Sequence, residues 1–313
     1  MQWWMVDTAL WRDEYPFDSH FMEVEGSRYH FLDEGTGRPL LMVHGNPTWS
    51  FYWRRLVDTL RPHLRTVAVD HMGCGLSDKP GNYPYRLSDH VNNLVRLIEH
   101  LDLEDITMVV HDWGGPIGLS AAVQLKERIS GLVILNTGAF PPPSIPLRIR
   151  SCRIPLLGSF LVRRLNLFAR LALGMATYRR PLAEPARAGL LAPYDSHANR
   201  IAIARFIQDI PASPRHPTWH LLSSLAKDLS QLSSCPTRIL WGMRDWCFTP
   251  RCLEMLVDIF PHADVTRLED VGHYVMEDDP DTVVQVVSEF LQLQPDGCPP
   301  SGPGNGSDAG RER

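Results

Sequence analysis

Residues 108–117 read MVVHDWGGPI, and this stretch decides the fold. An apolar run ends at one acidic residue, Asp112, and two glycines follow directly after Trp113. This is the layout of a nucleophile elbow, where a strand turns sharply into a helix and holds a reactive side chain at the turn. Aspartate replaces the usual serine, and Val110 stands where the motif has its first glycine. Taken alone, Asp112 is also compatible with a residue that merely caps a helix.

The sequence around this stretch alternates short apolar runs with longer amphipathic ones. Strands are predicted at 28–32, 39–43, 65–69, 106–110, 132–135, 237–241 and 264–268. Helices are predicted at 53–60, 87–101, 116–126, 251–260 and 281–291. Such alternation predicts an α/β fold, a mostly parallel sheet flanked by helices.

Residues 138–235 have a different character. The interval opens with three prolines at 141–143, lacks a strand-like run and predicts several short helices. We interpret it as a helical cap inserted between two parts of the core, 1–137 and 236–292. Residues 141–210 contain 11 arginines, no lysine and three acidic residues, a local net charge of +8. Two interpretations stay open, a solvated helical surface and a basic, apolar-rich surface that contacts an acidic partner or an anionic membrane.

The overall composition is that of a globular protein, with 44% hydrophobic and 21% charged residues in 313. A formal net charge of -5 offers no electrostatic case for a nucleic-acid partner. Six cysteines without CxxC spacing predict neither a metal site nor a disulfide framework, and they favour a reducing compartment. No signal peptide or membrane span is predicted, so we expect a cytoplasmic protein, with membrane association left open. The Gly-, Pro- and Ser-rich tail, 293–313, is predicted to be disordered.

The N-terminal segment is rich in tryptophan. Trp3, Trp4, Leu10 and Trp11 fit an amphipathic anchor, or they pack on the core or on a neighbouring subunit. We favour packing.

A covalent aspartate needs a base for its second half-reaction, and the base needs an orienting acid. His273 stands in VGHY after the strand predicted at 264–268, and Asp245 stands in LWGMRD after the strand predicted at 237–241. The competing acid position, just after 132–135, holds Asn136, which cannot act as an anionic partner. The sequence therefore predicts Asp112, Asp245 and His273 as catalytic residues.

A second motif, MVHGNPTWS at 42–50, follows an early strand. In this layout the loop donates a backbone N–H to an oxyanion hole, together with the N–H of Trp113. The side chains of Asn46 and Trp113 would bring two further N–H donors, which suit a departing halide or carboxylate. The alternative is that Asn46 only shapes the turn before Pro47. The stretch DHMGCGLSD at 70–78 is predicted to be structural.

With these motifs in place, the chain resembles the haloalkane dehalogenases, which have the α/β-hydrolase fold. The matching stretches are HGNPTWSFYWR, DHMGCGLSDKP, HDWGGPIGL, WGMRD and GHYVMED, and the likeness runs from about residue 15 to 292. The acid at Asp245, with Asn46 and Trp113, resembles the third subfamily. The stretches GCGLSDKP, LNTGAFPPPSIP and CRIPLLG are more similar to the β-lactone decarboxylases of bacterial long-chain olefin biosynthesis.

The resemblance implies one of two chemistries. In a dehalogenase, Asp112 displaces halide, Asn46 and Trp113 hold the leaving ion, and His273, oriented by Asp245, activates water. In a β-lactone decarboxylase, Asp112 opens the ring at its carbonyl carbon or at its C–O carbon, and loss of carbon dioxide leaves a cis-alkene. Neither chemistry needs a metal or an organic cofactor. The resemblance also implies a tendency to form homo-oligomers or multi-enzyme assemblies.

The apolar content of the cap favours the decarboxylase. We expect most of these side chains to pack in the core and some to line a slot for two alkyl chains; they are Ile149, Ile154, Leu156, Leu157, Phe160, Leu161, Leu165, Leu167, Phe168, Leu171, Leu173 and Met175. The favoured substrate is an apolar small molecule, a long-chain cis-3,4-dialkyl β-lactone (oxetan-2-one).

Four other functions compete with the decarboxylase. A dehalogenase is the main alternative. An epoxide hydrolase would need two cap tyrosines, for which Tyr178 and Tyr194 are candidates, but Asn46 argues against it. An inactive scaffold is disfavoured because every catalytic group is present, and Asp112 in place of serine excludes a serine esterase.

Overall fold

The computed structural model describes residues 10–292, and its core is one sheet of eight strands. The strands are β1 His20–Val24, β2 Ser27–Glu34, β3 Pro39–Val43, β4 Arg65–Val69, β5 Ile106–Asp112, β6 Ile129–Thr137, β7 Thr237–Gly242 and β8 Asp264–Leu268. Their order in the sheet is β1-β2-β4-β3-β5-β6-β7-β8. The β1–β2 and β2–β4 pairs are antiparallel and all other neighbours are parallel, so the expected mostly parallel sheet is confirmed.

The interior strands are easy to predict because both faces of the sheet are covered. All five residues of β3 and all seven of β5 are buried, and such strands appear in sequence as continuous apolar runs. The predicted bounds of β3, β4 and β8 match the structure. β1 was not predicted, because this edge strand buries only Met22 and Val24.

Three helices connect the strands up to β6: α1 Arg54–Leu60, α2 Leu87–His100 and α3 Gly114–Gln124. Short 3₁₀ turns lie at Arg12–Glu14, Ser50–Trp53 and Lys126–Arg128. α3 begins two residues before the predicted start at 116, because the chain enters the helix immediately after the turn at Asp112.

Between β6 and β7 the described chain forms helices and turns. The helices are α4 Leu147–Cys152, α5 Leu157–Ser159, a π-helix Phe160–Arg164, α6 Leu167–Met175, α7 Glu184–Leu191, α8 Ile201–Asp209 and α9 Pro217–Asp228. Further 3₁₀ turns are Ala192–Tyr194, Ala198–Arg200 and Leu229–Leu232. α9 contacts α2 and α3, so it extends the helical layer on one face of the sheet. The division into 1–137, 138–235 and 236–292 stays a prediction, and the tail 293–313 lies outside the described residues.

The chain ends with α10 Pro250–Ile259, α11 Val275–Asp278 and α12 Pro280–Phe290, and two hydrophobic cores cover the sheet. Alternate residues of β3 enter different cores: Leu41 and Val43 face one, Leu40 and Met42 the other. Since successive strand residues point to opposite faces, the two cores lie on opposite sides of the sheet. Helices α2, α3, α9 and α10 cover one face; α1, α12 and much of the cap cover the other.

The apolar cap residues depart from expectation. Only Ile149 and Leu173 of the twelve are buried. Six are exposed: Ile154, Leu156, Leu157, Phe160, Leu165 and Leu171. The expectation that most of them pack in the core is wrong. Five of the six exposed residues lie on α5, on the π-helix or in the turns beside them, and these pieces are too short to form an inward apolar stripe.

The N-terminal tryptophans fall on both sides of the first described residue. Trp11 is buried, and its ring lies 5.5 Å from that of Trp49 and 5.9 Å from that of Phe51. Trp3 and Trp4 lie outside the described residues. Within residues 10–292, no helix combines the length and the apolar character needed to cross a bilayer.

A buried carboxylate ties the cap to the loop before α11. Asp278 is 1% exposed. Its two oxygens accept the backbone N–H groups of Tyr178, Arg179 and Arg180 from the cap, and of Gly272 from the loop. The backbone N–H of Tyr274 also donates to Ala176 O at 2.7 Å. The end of α6 and the loop of residues 271–274 are therefore held as one unit.

Replacing Asp278 with Asn removes the charge and turns an amide N–H₂ toward backbone donors. We expect the free energy of unfolding, measured by urea denaturation, to fall by about 2 to 4 kcal/mol. Asp281→Asn, at an exposed position three residues after Asp278, should change it by less than about 0.5 kcal/mol. Equal effects of the two substitutions would show that Asp278 does not hold the cap.

Candidate active site

Asp112 is the last residue of β5 and adopts a left-handed backbone, with φ at 52°. A non-glycine residue in this region costs about 1 kcal/mol, so neighbouring contacts must hold it there. The hydroxyl of Thr137, at the end of β6, donates to the backbone carbonyl of Asp112. The backbone N–H of Asn46 donates to Asp112 Oδ1 at 2.6 Å.

Small residues make this turn sterically feasible. A Cβ at Gly45 would overlap the Asp112 carboxylate, and a Cβ at Gly114 would overlap the carbonyl oxygen of Val43. The departure of Val110 from the usual glycine is accommodated one turn into α3, where a Cβ at Gly118 would crowd the Val110 side chain. The elbow therefore keeps its close strand–helix approach with the glycine moved to another position.

His273 and Asp245 meet at Asp112. His273 Nδ1 lies 2.8 Å from Asp245 Oδ2, and His273 Nε2 lies 3.6 Å from Asp112 Oδ2. An ionised carboxylate can only accept, so in the neutral form of His273 Nδ1 carries the proton and Nε2 faces the nucleophile with its lone pair. All three side chains are less than a tenth exposed. The structure thus brings together the three residues predicted as catalytic.

Asp245 is itself fixed by three donors. The backbone N–H groups of Cys247 and Phe248 donate to Oδ1 at 2.6 and 3.1 Å. Asn136 Nδ2 donates to Oδ2 at 3.0 Å. The same amide also pairs with the backbone of Gly242 at the end of β7, in both directions. Asn136, rejected as an acid from the sequence, therefore orients the acid that is present.

A further supporting residue, His111, was not found from the sequence. Its Nε2 donates to the backbone carbonyl of His273 at 2.9 Å, and its ring stacks on Tyr52 with centroids 4.8 Å apart. Burial holds the pKa of His111 well below its usual value, so the ring stays neutral. The sequence does place His111 directly before Asp112 in β5. Since successive strand residues face opposite sides of a sheet, the His111 side chain is expected on the face opposite that of Asp112.

The charges in the site influence one another. Burial raises the pKa of Asp112 above its usual value, against the lowering effects of His273 and of the backbone N–H groups of Asn46 and Trp113. For His273, burial opposes the cation, but Asp245 and then Asp112 outweigh it and raise the pKa above its usual value. The cationic form of His273 is thus favoured more than in a free histidine.

Asn46 and Trp113 both line the cavity that contains Asp112. The Asn46 side chain makes only a 3.5 Å contact from Nδ2 to Ile203 O, so its amide stays available. Among the hydrogen bonds of residues 10–292, none uses the Trp113 indole N–H. The peptide bond between Asn46 and Pro47 is cis.

The cavity has a volume of about 150 Å³ and a mostly apolar wall. Asp112 and His273 supply its reactive groups, while cap helices α4, α6 and α8 form much of the opposite side. The apolar lining includes Pro47, Phe140, Ile149, Phe168, Ile207 and Trp246. Cavities of this kind bind small molecules that are largely apolar.

Known proteins are similar to this chain in sequence and in fold. The α/β-hydrolase fold family matches residues 38–280. A protein from Shewanella oneidensis, named cis-3-alkyl-4-alkyloxetan-2-one decarboxylase, is 43% identical over 92% of this chain and 91% of its own length. A protein of the same name from Xanthomonas campestris pv. campestris is 39% identical, over 90% and 98%. Haloalkane dehalogenase 2 from Mycobacterium tuberculosis is 32% identical, over 88% and 95%.

The chain belongs to the haloalkane dehalogenase-like α/β-hydrolases. The solved structure of the haloalkane dehalogenase DatA from Agrobacterium tumefaciens C58 superimposes with a TM-score of 0.80, covering 88% of this chain and 96% of DatA. At 24% identity that likeness speaks for the fold alone.

Within this α/β-hydrolase, the two cap tyrosines do not reach the reactive groups. Tyr178 is 59% exposed. Tyr194 is fully buried and donates to Thr48 O at 3.1 Å. Neither lines the cavity around Asp112. The acids that an epoxide hydrolase would require are therefore absent from the positions considered for them.

The role of Asp245 can be tested without any substrate. Because its negative charge stabilises the imidazolium form, Asp245→Asn should lower the pKa of His273. The measurement is an NMR titration of labelled histidines, with the His273 signal assigned from its absence in His273→Gln. Glu254→Gln, an exposed substitution on α10, is the control and should leave that pKa unchanged. An unaltered pKa in Asp245→Asn would remove Asp245 as the charged partner.

Proposed function

We propose that this protein converts cis-3-alkyl-4-alkyl oxetan-2-ones into cis-alkenes and carbon dioxide, with Asp112 as a covalent nucleophile. The names of the two decarboxylase relatives, at 43% and 39% identity over most of both chains, support this substrate class over haloalkanes. The apolar cavity around Asp112 supports it too, since the only polar part of such a lactone is its ring.

The hydrogen bond from the Asn46 N–H to Asp112 Oδ1 carries the proposed mechanism. In a serine hydrolase this backbone donor would bind the carbonyl oxygen of the substrate. Here the second oxygen of the nucleophile occupies it, at 2.6 Å. Attack at the lactone carbonyl would lack that stabilisation, so attack at the sp³ ring carbon C4, which bears the ring oxygen, is favoured.

In the first step Asp112 Oδ2 bonds to C4 while the C4–O bond breaks, and its electron pair goes to the lactone oxygen. The products are an alkyl ester of Asp112 and a free carboxylate on C3. The side-chain N–H groups of Asn46 and Trp113, both in the cavity wall, are the donors available for this carboxylate. Charge-assisted hydrogen bonds of this kind are about twice as strong as neutral ones.

In the second step the bond between C3 and the carboxylate carbon breaks. Its electrons form the C3=C4 double bond, the C4–O bond to Asp112 breaks, and carbon dioxide and the ionised Asp112 are released. Atoms balance without water, and no proton is exchanged. Inversion at C4 followed by anti fragmentation turns a cis-lactone into a cis-alkene.

A haloalkane would take the same first step, which is why dehalogenation is the second candidate. Its alkyl ester carries no β-carboxylate and cannot fragment, so water must hydrolyse it. His273 would accept a proton from that water through Nε2, the nitrogen that lies 3.6 Å from Asp112 Oδ2. The relative named haloalkane dehalogenase 2, at 32% identity, supports this alternative.

The variant Asp112→Asn tests whether the reaction depends on the carboxylate nucleophile. The wild-type protein and the variant are incubated with a long-chain cis-β-lactone and, separately, with a short bromoalkane. We expect alkene and carbon dioxide from the lactone, little bromide from the bromoalkane, and a fall of at least about 10³-fold in alkene formation for the variant. Brisk bromide release without alkene would instead identify a dehalogenase.

The two reactions should also differ in their pH dependence. Hydrolysis needs neutral His273, so bromide release should fall as the pH drops through the raised pKa of that residue. Fragmentation needs only ionised Asp112, so alkene formation should persist there and fall at lower pH, as Asp112 becomes protonated. The measurement is kcat for each substrate across pH. A shared loss of both activities near the pKa of His273 would contradict the water-free second step.

A further inference from the structure

The cap carries an apolar surface that faces solvent. Leu147 is 77% exposed, Leu156 is 90% exposed and Phe160 is 53% exposed. Ile154, Leu157 and Leu165 are each about half exposed. These residues lie on α4, on α5 and on the π-helix or in the turns beside them, and α4 contacts α5, which in turn contacts the π-helix. We call this surface the cap face.

Backbone strain accompanies the most exposed leucine. Leu156 has φ at 63° and ψ at -54°, a positive-φ conformation that is strained for a non-glycine residue and lies outside the left-handed helical region. Strained residues persist where their position is used, and this one presents an apolar side chain to water. Together with its exposed neighbours, this residue is one sign that the surface is used in contact.

The charge around the cap face has one sign. Residues 141–175 contain six arginines and no acidic residue. Arg150 and Arg164 are exposed, and the salt bridges found within residues 10–292 involve neither of them. Apolar side chains beside exposed arginines such as Arg150 and Arg164 are the composition of surfaces that lie in the interface of an anionic bilayer.

A second copy of the chain is a poorer match for the cap face. In a two-fold dimer the same patch meets itself, so the arginines of one copy would face those of the other. A bilayer with anionic headgroups offers the opposite charge and an apolar layer below it. Arginine can bury its stem and keep its guanidinium at the headgroups.

Helix α4 of the cap face and helix α6, which contacts the π-helix, also line the reactive cavity. Ile149 of α4 and Phe168 and Ala172 of α6 form part of its wall. A cavity of about 150 Å³ suits a molecule the size of benzene, hence the lactone ring and its nearest carbons. If the proposed function is correct, the alkyl chains must extend through the cap.

We propose that the cap face docks on the surface of an anionic lipid bilayer. A dialkyl substrate would then move from the lipid to Asp112 by passing between α4 and α6. Docking itself requires no substrate and does not depend on the proposed reaction.

The first test is vesicle flotation with the full-length protein. Vesicles are made of phosphatidylcholine alone or with added phosphatidylglycerol. We expect flotation with the anionic vesicles, weakened by salt because exposed charges are screened. Absence of flotation with both kinds of vesicle would overturn the proposal.

Two matched pairs of variants locate the contact. Phe160→Gln should reduce flotation, and Phe21→Gln, at an exposed phenylalanine on the edge strand β1, should not. Replacing Arg150 and Arg164 with Glu should lower the partition coefficient at least roughly tenfold. The same change in charge at exposed Arg55 and Arg215 should lower the partition coefficient less. Equal losses within each pair would place the contact elsewhere.

A triple variant tests the whole face. Leu147→Gln, Phe160→Gln and Leu156→Asn are combined, the last because Asn tolerates a positive φ better than most residues. Flotation should be lost. Flotation of this variant at the wild-type level would refute lipid docking. If its molecular mass by light scattering also differs from that of the wild type, the cap face is assigned to contact between proteins.

Alkene formation separates docking from the reaction. With lactone dispersed in detergent, the triple variant should match the wild type, and with lactone in anionic vesicles it should be slower. A wild-type protein that floats but forms no alkene in either medium would refute the proposed function and leave docking in place. Equal rates on vesicle-borne lactone would refute the passage of substrate through the cap.

Discussion

Asp112 sits at the end of β5 with one carboxylate oxygen on the Asn46 N–H, and the local structure is arranged around keeping it there. The left-handed backbone at Asp112 forces the chain directly into α3. That entry requires glycine at 114, beside the carbonyl of Val43, and glycine at 45, beside the carboxylate itself. The neighbouring strands β3 and β6 thus contribute to the position of one side chain, through the loop after β3 and through Thr137.

The second constraint is electrostatic and comes from the other half of the sheet. Asp245 follows β7 and fixes His273, and Asn136 at the end of β6 spans the two strands by bonding both Asp245 and Gly242. The buried acid is therefore surrounded by donors, as a buried charge must be. Asp278 serves a similar purpose away from the reactive groups, because its four backbone donors join the cap to the loop that carries His273.

The sequence predicts the role of a residue when that role follows from the neighbouring residues in the chain. The elbow, the acid and the histidine were visible because their positions after apolar runs follow from the strand–turn–helix pattern. Asn136, His111 and Asp278 act through partners more than a hundred residues away or through backbone groups, which a sequence does not display. The cap face was also hidden. Hydrophobic periodicity indicates burial only when a helix is long enough to have a stripe, and α5 has three residues.

The occupied donor at Asn46 has a consequence for which molecules this protein consumes. By the proposed mechanism, this site forms the same kind of ester from any sp³ carbon that carries a leaving group and fits the cavity. The fate of that ester then decides which substrates are turned over. An ester with a carboxylate on the adjacent carbon fragments and regenerates the free Asp112. An adduct without one waits for water and blocks the site meanwhile. The lifetime of the ester, more than the fit of the substrate, then sets the rate of turnover. A compound whose ester is long-lived acts as an inhibitor.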